Sequence, residues 1–165
     1  MIKDKILIGA MIGILADVMK IITNYILFSL GYSKALFWQI VASIFLRKEH
    51  LYDKFAYLIG AVADATFTSL LGVIFVYVIY LFGAKNLWLK GMGFGLVVWV
   101  SAFGMLVSRI AGEKLPQDPT GVVVTMTAHA VFGLALAFFT KLFKQDKPIS
   151  IIKNKSMHSY KLKNK

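Results

Sequence analysis

The stretch that decides the fold is Lys5 to Gly31, KILIGAMIGILADVMKIITNYILFSLG. It is long and apolar enough to cross a hydrocarbon core, which is about 30 Å thick and takes roughly 20 residues of helix. Three polar side chains, those of Asp17, Lys20 and Asn24, interrupt its middle. Charges at that depth are costly and normally face a bundle interior or a hydrated cavity. The stretch therefore predicts a membrane span that needs protein neighbours on its polar side.

Helical spacing collects the small and polar residues of this stretch on one face. At ~100° per residue they fall within an arc of about 80°. The rest of the helix surface is Ile, Leu, Met, Val and Phe, as expected for a face that meets lipid. The residues on the arc are Gly9, Gly13, Asp17, Lys20, Asn24 and Gly31.

The composition predicts one membrane domain and excludes several kinds of site. Apolar residues make up 58% of the 165-residue chain, above the ~45–50% that is usual for soluble domains. The absence of cysteine excludes disulfides, thiolate metal sites and cysteine catalysis. A net charge of +11 would indicate nucleic-acid binding in a soluble protein. Here the positive residues lie at the ends of apolar segments, so no nucleic-acid partner is expected.

Four apolar segments are long enough to span, and together they define one domain over 1–143. Asp118 and Pro119 are typical as the N-cap and first helical residue of the last segment. Gly31 and Gly83 are typical stops for the first two. The expected fold is an all-α, polytopic membrane helical bundle. Its spans are predicted at about 6–30, 55–82, 90–111 and 120–143.

A shorter apolar segment, 33–48, lies between the first two spans. Its sequence, SKALFWQIVASIFLRK, has only about 14 residues before its basic end, which is too few for a span. The pattern predicts one interfacial or re-entrant helix with an apolar stripe and with Trp38 at the headgroup boundary. Gln39, Ser43 and Arg47 are expected on the opposite, polar side of that helix.

The basic residues predict an orientation. Of the 19 Lys and Arg, twelve lie in the N-terminus, the 83–90 loop and the C-terminal tail, six lie in the two other connections, and Lys20 lies inside a span. Positively charged loops stay in the cytoplasm, so both termini are expected there, with the chain in the cell membrane. The 144–165 tail is expected to be disordered and to contact anionic lipid headgroups through its lysines.

A faint internal repeat links the two halves of the chain. Two hairpins of the same orientation would be related by an axis along the membrane normal, although glycine-rich helices also resemble each other by chance. In the repeat, Gly60, Asp64, Thr68 and Gly72 recur 65 positions later as Thr125, His129, Gly133 and Ala137, and Gly9, Gly13 and Asp17 recur 82 positions later as Gly91, Gly95 and Trp99.

Five polar residues inside the predicted spans form a candidate intramembrane cluster. Asp17 and Lys20 are one helical turn apart and can pair, either to fix helix packing, with Asn24 as interhelical glue, or as an ion or proton site. Asp64 shares a face with small residues, and its partner, Lys20 or His129, is left open. His129 is either a hydrogen-bonded structural residue or, with Asp17 and Asp64, a ligand for a cation.

Glycines at helical spacing mark the faces expected to pack closely. No motif of a nucleotide-dependent, serine or zinc enzyme is present. His129 is the only histidine within a span, which disfavours a haem. The sequence therefore predicts no enzymatic activity, no metal and no cofactor. The packing glycines are Gly9, Gly13, Gly60, Gly72, Gly91, Gly95 and Gly133.

Four short motifs together resemble those of small uncharacterised four-helix bacterial integral membrane proteins. The resemblance covers the membrane portion, omits the lysine-rich tail, and implies topology without an activity. The motifs are G-x-x-x-G-x-x-x-D ending at Asp17, the aspartate Asp64, K-G-x-G-x-G-x-x-x-W from Lys90 to Trp99, and H-x-x-x-G from His129 to Gly133.

Three classes of function remain open on the sequence alone. Small size and the lack of motifs favour an accessory or assembly subunit, which ranks slightly above the other classes, with a membrane partner protein or a second copy of the chain against its polar face. The intramembrane Asp, Lys and His residues favour a small transporter or an ion or proton pathway. A lipid-modifying enzyme is the least favoured, because no nucleophile and base can be paired. Convergence of the ionisable groups around a hydrated cavity, with a water-filled route from one face, would favour transport, and convergence in a dry packed core would favour structure.

Overall fold

The computed structural model describes residues 4–107 and 118–144. Within those ranges all regular structure is helical, which agrees with the predicted all-α class. Four helices are long and apolar enough to cross a membrane, the number expected from the sequence. The end of the predicted 90–111 span and nearly all of the 144–165 tail lie outside the described residues.

Five α-helices follow one another within residues 4–107 and 118–144. The fourth helix continues directly into a π-helical segment, Val100–Val107, and a short 3₁₀ turn, Lys48–His50, precedes the third. The helices are α1, Lys5–Ser29; α2, Phe37–Ala42; α3, Lys54–Phe82; α4, Leu87–Trp99; and α5, Pro119–Lys144.

Local chemistry fixes the start of α5. The Asp118 carboxylate accepts a hydrogen bond from the Gly121 N–H at 2.8 Å, and Pro119 takes the first helical position, where no N–H is needed. Lys34 adds an ion pair to Asp118 at 3.2 Å. The Gly121 N–H first, and then Lys34, hold the pKa of Asp118 below its usual value. The predicted N-cap is confirmed, and the ion pair ties the connection after α1 to the start of α5.

Left-handed backbone ends two of the long helices. Gly31 lies just beyond α1 with φ +83°, and Gly83 follows α3 with φ +75°. L-residues with a side chain rarely adopt such angles, whereas glycine does so without steric penalty. Both predicted stops are confirmed.

The long helices form an arc in the order α3, α1, α5, α4. The helices α1 and α5 pack along each other in the centre, α3 packs on α1, and α4 packs on α5. The two outer helices, α3 and α4, scarcely touch. The short helix α2 packs on α3 and covers one end of the gap that the outer helices leave between them.

Glycine brings the backbones of each outer pair into direct contact. A Cβ added at Gly13 would overlap the Thr68 carbonyl of α3, and one added at Gly95 would overlap the His129 carbonyl of α5. The other five predicted packing glycines meet backbone atoms in the same way. Six of the seven join two long helices, whereas Gly60 receives the Trp38 carbonyl of α2. Small residues allow this approach because no side chain separates the helix axes.

The segment between α1 and α3 differs from the prediction. Its helix covers only Phe37–Ala42, not 33–48, and Gln39 and Ser43 are buried where an outward polar side was expected. Gln39 turns inward because it satisfies backbone and side-chain groups there. Its Oε1 accepts from the Leu36 N–H at 2.9 Å, and its Nε2 donates to the Leu51 carbonyl at 3.3 Å and the Tyr57 hydroxyl at 3.1 Å.

The predicted repeat does not describe the packing. The glycines of α1 meet Gly72 and Thr68, and those of α4 meet Gly133 and His129, so equivalent contact positions on α3 and α5 lie 61 residues apart rather than 65. A two-fold axis exchanging the hairpins would also make the α3–α4 contact equal the α1–α5 contact, and these differ greatly. The two pairs use the same glycine contact, but the bundle lacks the expected symmetry.

Candidate functional site

Lys20 lies between two carboxylates on different helices. Its Nζ is 2.6 Å from Oδ1 of Asp17, one turn earlier on α1, and 2.6 Å from Oδ1 of Asp64 on α3. The lysine is 1% exposed and Asp64 is 4% exposed. The Asp17–Lys20 pair predicted from their spacing is therefore present. Of the two partners left open for Asp64, the structure selects Lys20.

The three groups do not balance in charge. Two carboxylates and one ammonium carry a net charge of −1 when all are ionised. Oδ2 of Asp64 is buried and accepts no hydrogen bond from any described residue. A buried charge without a partner is costly, whereas a paired and hydrogen-bonded one is tolerated. The cluster of Asp17, Lys20 and Asp64, called here the charged triad, retains an acceptor that a cation or a hydrogen-bond donor can occupy.

Phe37, the first residue of α2, links the charged triad to the histidine. Lys20 Nζ lies 4.2 Å from the centroid of the Phe37 ring, within the range of a cation–π contact. The same ring packs against His129 with centroids 5.7 Å apart, and Phe103 meets His129 edge-on at 5.4 Å. Among the described residues, no hydrogen bond joins His129 to the triad, so the two are neighbours through aromatic rings.

His129 is oriented by its own helix. Its Nδ1 lies 2.8 Å from the Thr125 carbonyl oxygen, which can only accept, so Nδ1 carries the proton of that bond. In the neutral ring Nε2 is then the acceptor nitrogen. Trp99 on α4 holds the same threonine, because its Nε1 donates to Thr125 Oγ1 at 3.1 Å.

Asn24 has a different role from the one that its position on the polar face of α1 indicates. Its Oδ1 accepts from the backbone N–H of Phe37 at 3.0 Å, so it attaches the start of α2 to α1. It makes no described hydrogen bond to the triad. Of the five predicted cluster residues, Asp17, Lys20 and Asp64 are in direct contact, His129 is one ring away, and Asn24 positions that ring.

A cavity of about 900 Å³ lies beside these residues, in the gap between α3 and α4. Lys20, Asp64 and His129 line it together with Phe132, and all four are buried. Its remaining wall is almost entirely apolar. Lys20 and Asp64 of the charged triad, together with His129, thus form a small polar floor in a largely apolar chamber.

The cavity is open on one side. Exposed residues of α3 and α4 that also line it, among them Phe67, Leu70 and Val97, form its rim. The opening therefore faces outward between the two outer helices. In a bilayer this direction leads into the hydrocarbon region, because these rim residues are apolar.

The π-helical segment forms part of the cavity wall. Ser101, Ala102 and Phe103 belong to it and line the cavity. π-helical turns are rare and occur frequently at functional sites. The wider turn displaces these side chains from the positions that a continued α-helix would give them. The π-helical turn was not predicted from the sequence, because such a turn has no apolar periodicity of its own.

The cation site left open on the sequence, with Asp17, Asp64 and His129 as ligands, does not form. In the described ranges no three His, Asp or Glu side chains come together in a way that could hold a metal ion. The Lys20 ammonium instead occupies the place between the two carboxylates. It supplies the positive charge that a bound cation would otherwise bring.

Sequence reasoning missed two residues that shape the site. Phe37 is part of the apolar stripe of the 33–48 segment, and its contacts with both Lys20 and His129 were not predicted. Gln39 was expected on the polar side of that segment, although it holds α2 against α3. Both contacts join residues far apart in the chain. A buried amide within a short apolar segment was the available signal for Gln39, since such a group requires partners.

Fold and site together describe an all-helical protein with four helices of membrane-spanning character and a charged triad at the floor of an apolar cavity. No protein-family model matches the chain, and neither a curated protein nor a solved structure matches it.

Proposed function

We propose that this chain is a small transporter that binds its substrate in the cavity between α3 and α4. One observation carries the proposal: ionisable side chains from three different helices, Lys20, Asp64 and His129, border one open cavity. An ion pair that served only to hold helices together would need no cavity beside it. Ionisable groups within a membrane domain commonly mark a substrate or ion route.

The lining of the cavity favours a small amphiphile over a bare ion. A hydrated ion needs polar groups along its whole path, because every lost water contact must be replaced. Here the ionisable groups are confined to the floor, and apart from the hydroxyls of Thr66, Thr68 and Ser101 the rest is aromatic and aliphatic side chains. A molecule with an apolar body and one polar group fits such a wall, and it could enter from the bilayer through the opening between the outer helices.

The proposed setting is a cell membrane, with both termini in the cytoplasm. Twelve of the basic residues flank that side and six the other, in keeping with the positive-inside rule. The antiparallel packing of α1 on α3 and of α4 on α5 supports spans that alternate in direction. The resemblance to small bacterial membrane proteins is the basis for proposing a bacterial cell membrane.

An accessory or assembly subunit is the second candidate, and the outward opening of the cavity is the observation that favours it. A transmembrane helix of a partner protein would cover Phe67, Leu70 and Val97, which are apolar and exposed. Under this alternative, mild extraction of native membranes and native electrophoresis recover the chain mainly in a larger complex. Under the transporter proposal, the chain migrates as a monomer or as a complex of its own copies.

Binding of a neutral probe tests the transporter proposal. N-phenyl-1-naphthylamine has an apolar body and one N–H, and its fluorescence rises in an apolar site. Purified protein in detergent should show a saturable signal beyond that of protein-free micelles. Ala102→Trp fills the cavity and should weaken binding at least tenfold. Leu89→Trp is the matched control, because Leu89 is exposed on the same helix and does not line the cavity.

Two results would overturn the proposal. The first is a signal that does not saturate, or that equals the signal of protein-free micelles. The second is saturable binding that Ala102→Trp and Leu89→Trp affect equally. Either result would leave the cavity without a binding function and the accessory subunit as the remaining proposal.

A further inference from the structure

We infer that the substrate of this cavity is a lipophilic cation, a molecule with an apolar body and one positively charged centre that Asp64 neutralises. The inference rests on the proposed function and adds the charge of the ligand. It depends on three observations: the charge of the floor, the unpartnered oxygen of Asp64, and the aromatic wall.

The charge of the floor disfavours an anion. Among the described residues, Lys20 has the only ammonium there, and this group already contacts Asp17 and Asp64 at 2.6 Å each and is 1% exposed. An anionic group would have to displace one of these carboxylates and then lie beside it. Like charges in a medium of low dielectric constant repel strongly. When all three of its groups are ionised, the charged triad carries a net charge of −1, so that it repels anions and attracts a cation.

The second observation is that Asp64 retains an unused acceptor. Its Oδ1 receives the hydrogen bond from Lys20 Nζ, whereas its Oδ2 is buried without a hydrogen-bond partner among the described residues. Asp64 is also 4% exposed and lines the cavity. A buried carboxylate oxygen is stabilised by a positive charge or a donor. A wholly apolar ligand would leave this oxygen unpaired.

The aromatic wall suits a cation with an apolar body. Rings attract a positive centre within about 6 Å of their centroid, and the attraction grows when water is excluded. The Lys20 ammonium already lies 4.2 Å from the Phe37 centroid, so the ring face in this cavity is turned toward positive charge. A volume of about 900 Å³ lies within the ~300–1,000 Å³ that is usual for small-molecule sites. The aromatic residues that line the cavity are Phe37, Phe45, Phe67, Phe94, Phe103 and Phe132.

A pair of ions with the same shape and opposite charge separates charge recognition from apolar binding. Tetraphenylphosphonium and tetraphenylborate have nearly the same size and surface. Each is titrated into the purified full-length protein in detergent, with protein-free micelles as the blank, and the heat of binding is recorded. We expect saturable binding of the cation with one site per chain, and binding of the borate that is at least tenfold weaker.

Substitution of Asp64 then assigns the charge to one residue. Asp64→Asn should weaken tetraphenylphosphonium binding at least tenfold, and it should weaken binding of this cation more than binding of neutral N-phenyl-1-naphthylamine. Asp53→Asn is the matched control, because Asp53 is exposed beside His50 on the outside of the same hairpin. It should change neither. If Asp64→Asn does not fold, the comparison of the two ions on the unmodified protein still decides.

The possible outcomes are distinct. Equal saturable binding of both ions, or tighter binding of the borate, overturns the cation inference and keeps the cavity as a binding site. An Asp64→Asn protein that folds and binds the cation normally also overturns it. If the unmodified protein binds neither the neutral probe nor either ion, the proposed function itself is overturned.

Discussion

The Nζ of Lys20 lies 2.6 Å from the Asp64 Oδ1, across the contact between α1 and α3. These residues are 44 positions apart, so the spacing of residues within one helix does not predict their contact. The same ammonium lies 2.6 Å from Asp17 on its own helix. Because one lysine pairs with carboxylates on two helices, the three residues should respond to substitution as a unit. Neutralising Asp17 alone leaves Lys20 with a carboxylate partner.

Lys20→Met should be the most destabilising single change in the charged triad. It leaves two buried carboxylates without a counter-ion, and breaking a buried pair by removing one partner costs on the order of 3–5 kcal/mol. Asp17→Asn should cost clearly less, because Lys20 keeps Asp64. The triple change Lys20→Met, Asp17→Asn and Asp64→Asn should recover most of the loss. Thermal unfolding in detergent measures all three variants, and an order in which Asp17→Asn is worse than Lys20→Met would contradict the geometry.

Gly95→Ala should destabilise the bundle, and Gly93→Ala should not. A methyl group at Gly95 would overlap the His129 carbonyl, whereas nothing lies within 4 Å of one at Gly93. Overpacking of a close contact typically costs about 1–3 kcal/mol. Both positions lie on α4, so each variant controls for the helix propensity of the other. The unfolding midpoints of the two proteins in the same detergent check the prediction, and equal midpoints would exclude a close contact between α4 and α5 at this point.

Asn24→Ala should loosen α2 without unfolding the long helices. It removes the acceptor for the Phe37 N–H, which would then be buried without a partner. Hydrogen exchange followed by mass spectrometry should show faster exchange over Phe37–Ala42 and unchanged exchange in the middle of α3. Thr23→Ala is the control, because the Thr23 hydroxyl bonds only the Met19 carbonyl of its own helix. If hydrogen exchange over α2 is equally fast in the two variants, the Asn24 side chain does not hold α2 in place.

Single cysteines test the proposed orientation in a chain that has no cysteine of its own. A cysteine at Lys54, at the start of α3, should react with an impermeant thiol reagent in intact cells. A cysteine at Lys85, in the loop between α3 and α4, should react only after the cells are opened. The positive-inside rule sets this expectation. The reverse pattern would place the termini on the outer side.

The helices were predictable because their signals are local. Long apolar runs, the Asp118 cap and the stops at Gly31 and Gly83 each act within a few residues. The extent of α2 was not predictable in this way, since Gln39 is held by Leu51 and Tyr57, which lie 12 and 18 positions further along. Its inward orientation depends on where α3 begins to pack, and spacing within the segment does not encode that.

Part of the candidate site also followed from helical spacing. The polar face of α1 identified Asp17 and Lys20, and the ionisable residues of other spans identified Asp64 and His129. Which of these meet depends on the order of the helices in the bundle, because α1 must lie next to α3 for Lys20 to reach Asp64. The cavity was not foreseen, since it results from two outer helices that scarcely touch.

The glycine contact between α4 and α5 also determines how the cavity could change width. Gly95 lies against the α5 backbone, and Phe103 on the same continuous helix borders the cavity, about 12 Å further along the axis at roughly 1.5 Å per residue. A tilt of α4 would take place about this tight contact, and the cavity lies at a distance from it along the helix. A tilt of α4 by about 6° about the Gly95 contact moves Phe103 by roughly 1 Å. The position of the close contact between α4 and α5 thus sets how much the opening of the cavity widens for a given small tilt of α4.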